Sequence, residues 1–177
     1  NKILNERCRR LRYHGSLKTK YDFKLVGRNS RLDSIQASIL NIKLNNLNNQ
    51  VRLRNALARI YKRELGHLEM IELPRIEKYA KHSFHQFVIR LNERDKLKNF
   101  LKKKKIDTMI HYPNMLNEMK FYRKARGQKT LINSKKLGRK ILSLPISEEH
   151  TKKQILYICK QIKHFCKFQL KKRYRKN

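Results

Sequence analysis

Apolar positions along the chain change period as they run, and each change marks an element. Ile3, Leu4, Cys8 and Leu11 share one side of a short helix that Gly15 is placed to end in a left-handed cap. After a loop holding Tyr21, Phe23 and Gly27, Ser30 with Asp33 three residues on reads as a capping-box-like start. Leu40, Leu44, Leu47 and Val51 then step by four, three and four, while Leu32, Ile35, Ile39 and Ile42 mark an adjoining stripe. Ala56, Leu57 and Ile60 extend the run to Leu65, before Gly66 and Pro74. A helix of that length spans about 50 Å, enough for an inter-domain spine.

Beyond the spine the period shortens. Residues 83–91 (SFHQFVIRL) and 108–112 read as strands, the second stopped by Pro113, and 141–146 as a third. Asn92 is placed to cap a helix carrying Leu97, Phe100 and Leu101, with Lys102 to Lys105 at its cation-favouring end. Asn133 or Ser134 starts another helix. Thr151 with Gln154 opens the last one, whose Ile155, Ile158, Cys159, Ile162, Phe165 and Cys166 fall on one face. Glu148 and Glu149 read as its acidic first turn. The sum is a long helix followed by a small β-α-β-α-β-α module, an α/β fold.

Charge changes this picture more than composition does. In 177 residues, 39% hydrophobic and 33% charged, 46 Lys and Arg face 13 Asp and Glu, a formal charge of +33. Such a balance attracts polyanions, so a highly basic, non-catalytic protein that binds nucleic acid or other polyanions non-specifically is an alternative reading. The charge is dispersed, however, with denser runs only at 102–105 and 171–176. Three cysteines without a close pair suit a reducing, cytoplasmic setting. No apolar run is long enough to span a membrane.

Local spacing supplies little chemistry. His82 and His85 would point to opposite faces of a strand, and a metal site is not expected. There is neither a GxGxxG nor a Walker loop, so a phosphate would rest on basic side chains or a helix N-terminus. Cys159 and Cys166 read as core residues.

Longer motifs say more. Leu11-Arg12-Tyr13-His14-Gly15-Ser16, followed by Gly27-Arg28-Asn29-Ser30-Arg31-Leu32-Asp33-Ser34-Ile35-Gln36-Ala37-Ser38-Ile39-Leu40, is similar to the LRNHG and GxNSRLDxxQAAIL stretch of the DegT/StrS-type sugar aminotransferases. His85-Gln86-Phe87-Val88-Ile89-Arg90, Arg94-Asp95, Ile110-His111-Tyr112-Pro113 and Leu142-Ser143-Leu144-Pro145-Ile146 follow in the family's order. The resemblance implies the C-terminal part of a fold-type I aminotransferase. Residues 1–30 would end the large cofactor domain and carry the motif loop, 31–66 would be the long inter-domain helix, and 67–177 the small α/β domain with a short sheet.

It further implies pyridoxal phosphate as cofactor, glutamate and a nucleotide-linked keto-sugar as substrates, and a homodimer serving surface polysaccharide or glycan synthesis. Asn29 would reach the cofactor phosphate of the other subunit. Arg31 would support the same loop or the sugar-nucleotide diphosphate, and Tyr21, His111 and Tyr112 would border the substrate pocket. The lysine that binds the cofactor belongs to a Ser-Phe-rich segment before the LRNHG motif. No lysine of this chain has that context, so the chain alone is expected to be inactive. Read without the family, Asn29 and Ser30 could be a helix N-cap, Arg31 a surface residue and His111-Tyr112-Pro113 a strand end. Asn114 to Asn117 and Lys105 depart from the pattern, the latter standing where a glycine is expected.

Overall fold

The computed structural model describes residues 1–17, 22–119, 122 and 131–174. Two compact units divide the chain, residues 1–47 and 48–177. The first opens with α1 (Lys2–Arg12), capped by the Asn1 side chain accepting from the Leu4 amide. Both His14 (φ 55°) and Gly15 (φ 94°) are left-handed there. The Gly15 amide returns to the Arg10 carbonyl (2.8 Å), closing the last turn. Left-handed backbone at a histidine is a departure from the single glycine cap expected.

Helix α2 (Ser34–Leu65) is the long spine, and it starts three residues later than the Ser30 signal suggests. Asp33 is its cap, accepting from the Ile35 amide at 2.9 Å. A carboxylate also suits the positive end of the helix dipole. Ser30 is unavailable for that task because its amide donates to the Arg12 carbonyl (2.9 Å).

In the second unit β1 (Phe87–Arg90) pairs antiparallel with β2 (Ile141–Leu144), Phe87 opposite Leu144 and Arg90 opposite Ile141. Alternation along β1 buries Phe87 and Ile89 and leaves Val88 and Arg90 half-covered. The third strand expected over 108–112 reduces to one bridge, in which Met109 and Ser143 exchange backbone hydrogen bonds of 3.2 and 2.8 Å. The segment is too short between the preceding helix and Pro113 to extend the ladder.

Helix α3 (Arg94–Lys103) is preceded by Glu93 rather than Asn92, without a side-chain cap. The buried Arg94 side chain turns instead to the Gly138 and Ile141 carbonyls, 3.3 Å each, tying the helix to the head of β2. At its other end Lys105 takes φ 58°, the conformation a glycine would adopt most easily. Its amide donates to the Lys102 carbonyl and that of Ile106 to Leu101, both 3.0 Å, a Schellman closure that also brings buried Ile106 to buried Leu101.

Helix α4 (Ile132–Gly138) leads into β2, and α5 (Lys152–Tyr174) completes the unit. Its start matches the sequence signal: the Thr151 amide donates to Gln154 Oε1 (2.8 Å) and the Gln154 amide to Thr151 Oγ1 (3.3 Å). Glu148 and Glu149 lie outside that helix, whose first turn has no acidic residue. Glu148 instead accepts from Arg54 at 2.8 Å, a pairing across 94 residues. The core joins the last three turns of α2 to β1, β2, α3 and α5. Tyr61 stacks on Phe87 (ring centroids 4.7 Å apart) and donates its hydroxyl to the Pro145 carbonyl (2.8 Å). Cys159 and Cys166 are buried there, as their helical spacing indicates.

Candidate functional site

Two groups of residues carry candidate chemistry, one in each unit. In the first unit the two best-matched motif pieces bind one another. The Arg28 amide donates to the Leu11 carbonyl (2.7 Å), and the His14 amide donates to the Arg28 carbonyl (3.0 Å). Tyr13 and Asn29 form an antiparallel bridge between these bonds. Gly15 and Gly27 permit the approach. A Cβ on Gly15 would lie 1.7 Å from the Leu25 carbonyl oxygen, and one on Gly27 would lie 2.2 Å from the Gly15 nitrogen. Either clash is with backbone, so neither glycine tolerates a side chain without moving the loop.

This zipper presents Asn29 and Arg31 together on the surface. Arg31 Nε donates to Asn29 Oδ1 at 3.1 Å, and its guanidinium sits 5.1 Å from the centre of the Tyr13 ring. Because an arginine can only donate, the amide oxygen must face it, and the orientation of the Asn29 side chain is thereby fixed. The amide nitrogen points away with two hydrogens, and no hydrogen bond to it is present among the described residues. An exposed neutral donor beside a held guanidinium, three residues before the Asp33 cap of α2, has the chemistry of a phosphate contact. The N-cap alternative for Asn29 does not hold in this fold, since Asp33 caps the helix.

In the second unit His111 Nδ1 lies 2.9 Å from Ser143 Oγ. Ser143 is the same residue whose backbone bridges Met109, so one buried serine of β2 holds both the backbone and the imidazole of this segment. The His111 and Tyr112 rings meet edge to face with centroids 5.7 Å apart, and Tyr112 is largely exposed. The structure therefore brings Asn29 to Arg31, and His111 to Tyr112. Tyr21 lies outside the described residues. Sequence reasoning missed Tyr13 and Ser143 as partners. A serine inside the apolar run Ile141 to Leu144 was the available signal for the second.

Other reactive groups are excluded by their surroundings. Burial, with the Glu64 charge adding to it, pushes the Cys159 thiol up to about 12, and burial alone takes Cys166 to about 11. Neither is a thiolate at neutral pH. Burial likewise raises the Tyr61 hydroxyl, a donor to Pro145 that stays protonated. Among the described residues no helix is long and apolar enough to cross a membrane.

The motif zipper, the long helix and the short-sheet α/β unit define a part of an aminotransferase fold. Residues 1–163 match the DegT/DnrJ/EryC1/StrS aminotransferase family, and the chain belongs to it. It is 36% identical over 165 residues to the pleiotropic regulatory protein of Geobacillus stearothermophilus, covering 92% of this chain and 44% of that protein. It is 34% identical over 164 residues to the dTDP-3-amino-3,6-dideoxy-alpha-D-galactopyranose transaminase of Aneurinibacillus thermoaerophilus, with the same two shares. Its fold is similar to that of S. venezuelae DesV, a structure of a complex with a ketimine intermediate. The TM-score is 0.88 at 34% identity over 94% of this chain and 45% of that one. The chain thus spans less than half the length of the curated relatives it matches.

The family's cofactor, pyridoxal phosphate, can be tested against the donors present. Its phosphate is a compact dianion, and the oriented Asn29 amide with the adjacent Arg31 guanidinium fits one face of it.

Proposed function

We propose that the chain serves a pyridoxal-phosphate-dependent aminotransferase that moves an amino group from glutamate to a nucleotide-linked keto-sugar, for surface polysaccharide or glycan synthesis. In this reading residues 1–30 end the cofactor domain, 31–66 form the inter-domain helix and 67–177 the small domain. The enzyme is a cytoplasmic homodimer, and Asn29 donates its amide to the phosphate of the cofactor in the neighbouring subunit. The observation that carries the reading is the Arg31–Asn29 hydrogen bond, which leaves that amide with only donors to offer.

The cofactor, when bound, supplies the electron sink for amino transfer. Residues of this chain bind and orient. Arg31 fixes Asn29 and keeps its remaining N–H groups for the loop or the sugar-nucleotide diphosphate. His111, held at Nδ1 by Ser143, keeps Nε2 to exchange a hydrogen bond at the border of the substrate pocket, where Tyr112 presents its exposed ring and Tyr21 joins them. The transaminase relative named above acts on a dTDP-linked amino sugar, which supports a nucleotide-sugar substrate here.

The 177-residue chain alone is inactive in this reading, because none of its lysines has the setting of the cofactor lysine. Mixing it with pyridoxal phosphate and trapping with borohydride is expected to leave no stoichiometric adduct at a single lysine. One lysine trapped at full occupancy would refute that. The +33 charge supports a second reading, non-specific polyanion binding that falls steeply with salt.

A further inference from the structure

The first half of α2 is built unlike a solvated helix. Ile35, Ile39 and Ile42 line one stripe and Leu40, Leu44 and Leu47 another, and all six are exposed. At 3.6 residues per turn each stripe fills an arc of about 60°, and the stripe centres lie about 140–150° apart. Between Ser34 and Gln50 the only charged residue is Lys43, in a chain that is 33% charged. The remaining polar positions are Ser, Asn and Gln. Depletion of charge around exposed apolar side chains is the composition of an interface core. It is also the reverse of what a polyanion-binding face requires.

We infer that both stripes are the seat of one polypeptide, the remaining portion of this aminotransferase fold, whether carried on the same chain or on another. The inference rests on the family reading. More than half the length of the matched relatives lies outside the match, although the matched part alone reproduces the fold of S. venezuelae DesV over 94% of this chain. A second copy is a poorer occupant on two grounds. A twofold contact sets one line of a helix against its copy and would cover a single stripe. Each added copy would also bring a further +33 to the assembly. A clasping polypeptide covers both stripes and the Gln36 and Lys43 positions between them.

The test uses the 177-residue chain and, as probe, the portion of the Geobacillus stearothermophilus relative that lies outside the match, co-expressed and then analysed by size exclusion with light scattering. A one-to-one complex is expected. Ile39→Asp and Leu44→Asp, one in each stripe, should each weaken it by about tenfold or more. Leu156→Asp, at an exposed apolar position of α5, should leave it unchanged. Melting curves of the variants in isolation should stay near wild type, because the replaced side chains are exposed. Absence of a complex with wild type, a complex indifferent to both aspartates, or stripes needed only for self-association would each overturn the proposal. Amino transfer is scored separately: a stripe-dependent complex that transfers nothing removes the proposed reaction and leaves the docking surface in place.

Discussion

Helix α2 contains two regions that obey different rules. From Ser34 to Gln50 it buries no residue and carries a single charge, Lys43. From Val51 to Leu65 it buries Leu57, Ala58, Ile60, Tyr61 and Leu65, and six of its fifteen residues are charged. The second region is an ordinary amphipathic helix, apolar toward a core and ionic toward water. In the first, the apolar side chains are just as regular but meet no core, and the polar ones are uncharged. Continuous helix therefore does not mean uniform environment: the same backbone passes from a finished core to a surface composed for burial.

That contrast is broken most directly by comparing one side chain from each region. Phe87→Ala removes the ring stacked on Tyr61 and should cost about 3–5 kcal/mol. Ile39→Ala, in the exposed region, should change the stability of the chain alone by no more than about 0.5 kcal/mol. Denaturant melts of both variants measure the difference. Equal losses would mean that the first region already has a core of its own.

A smaller effect sharpens the ionic side of the second region. The Lys163 ammonium, 2.7 Å from Glu64, holds that carboxyl below its ordinary value of 4.5, and Arg63 adds to the shift. A lowered folded-state pKa contributes stability above the ordinary carboxylate range, and the contribution is lost as pH falls through the lowered value. Wild type should accordingly lose stability with acid more steeply below about pH 4.5 than Lys163→Ala does. Melting temperatures across pH 3–6 report the slope, and parallel acid limbs would show that the pair contributes nothing.

Local signals in the sequence located most elements and failed where distant residues decide. The Thr151 and Gln154 box, the apolar face of α5 and the alternation in β1 depend on neighbours within a few residues, so their spacing suffices. The start of α2 moved because Ser30 is claimed by Arg12, and Glu148 left α5 for Arg54. Neither partner is visible from local periodicity. Lys105 shows the converse: a departure from the expected glycine did not change the backbone, which keeps the left-handed turn with a side chain on it. In the candidate site, the motif match singled out Asn29 and Arg31, while the zipper that sets them side by side depends on backbone pairing between 11–14 and 28–30.

Asn29 is where the account is most exposed to measurement. In the assembled enzyme, pyridoxal phosphate is titrated against wild type and Asn29→Ala, with a melting curve for each. Loss of one hydrogen bond to a charged group costs about 1.5–3 kcal/mol. The account therefore predicts cofactor affinity lower by about ten- to a hundredfold. Stability should be nearly unchanged, since Asp33 rather than Asn29 caps α2. A variant that melts earlier yet binds the cofactor as tightly as wild type would contradict it and remove Asn29 from the site.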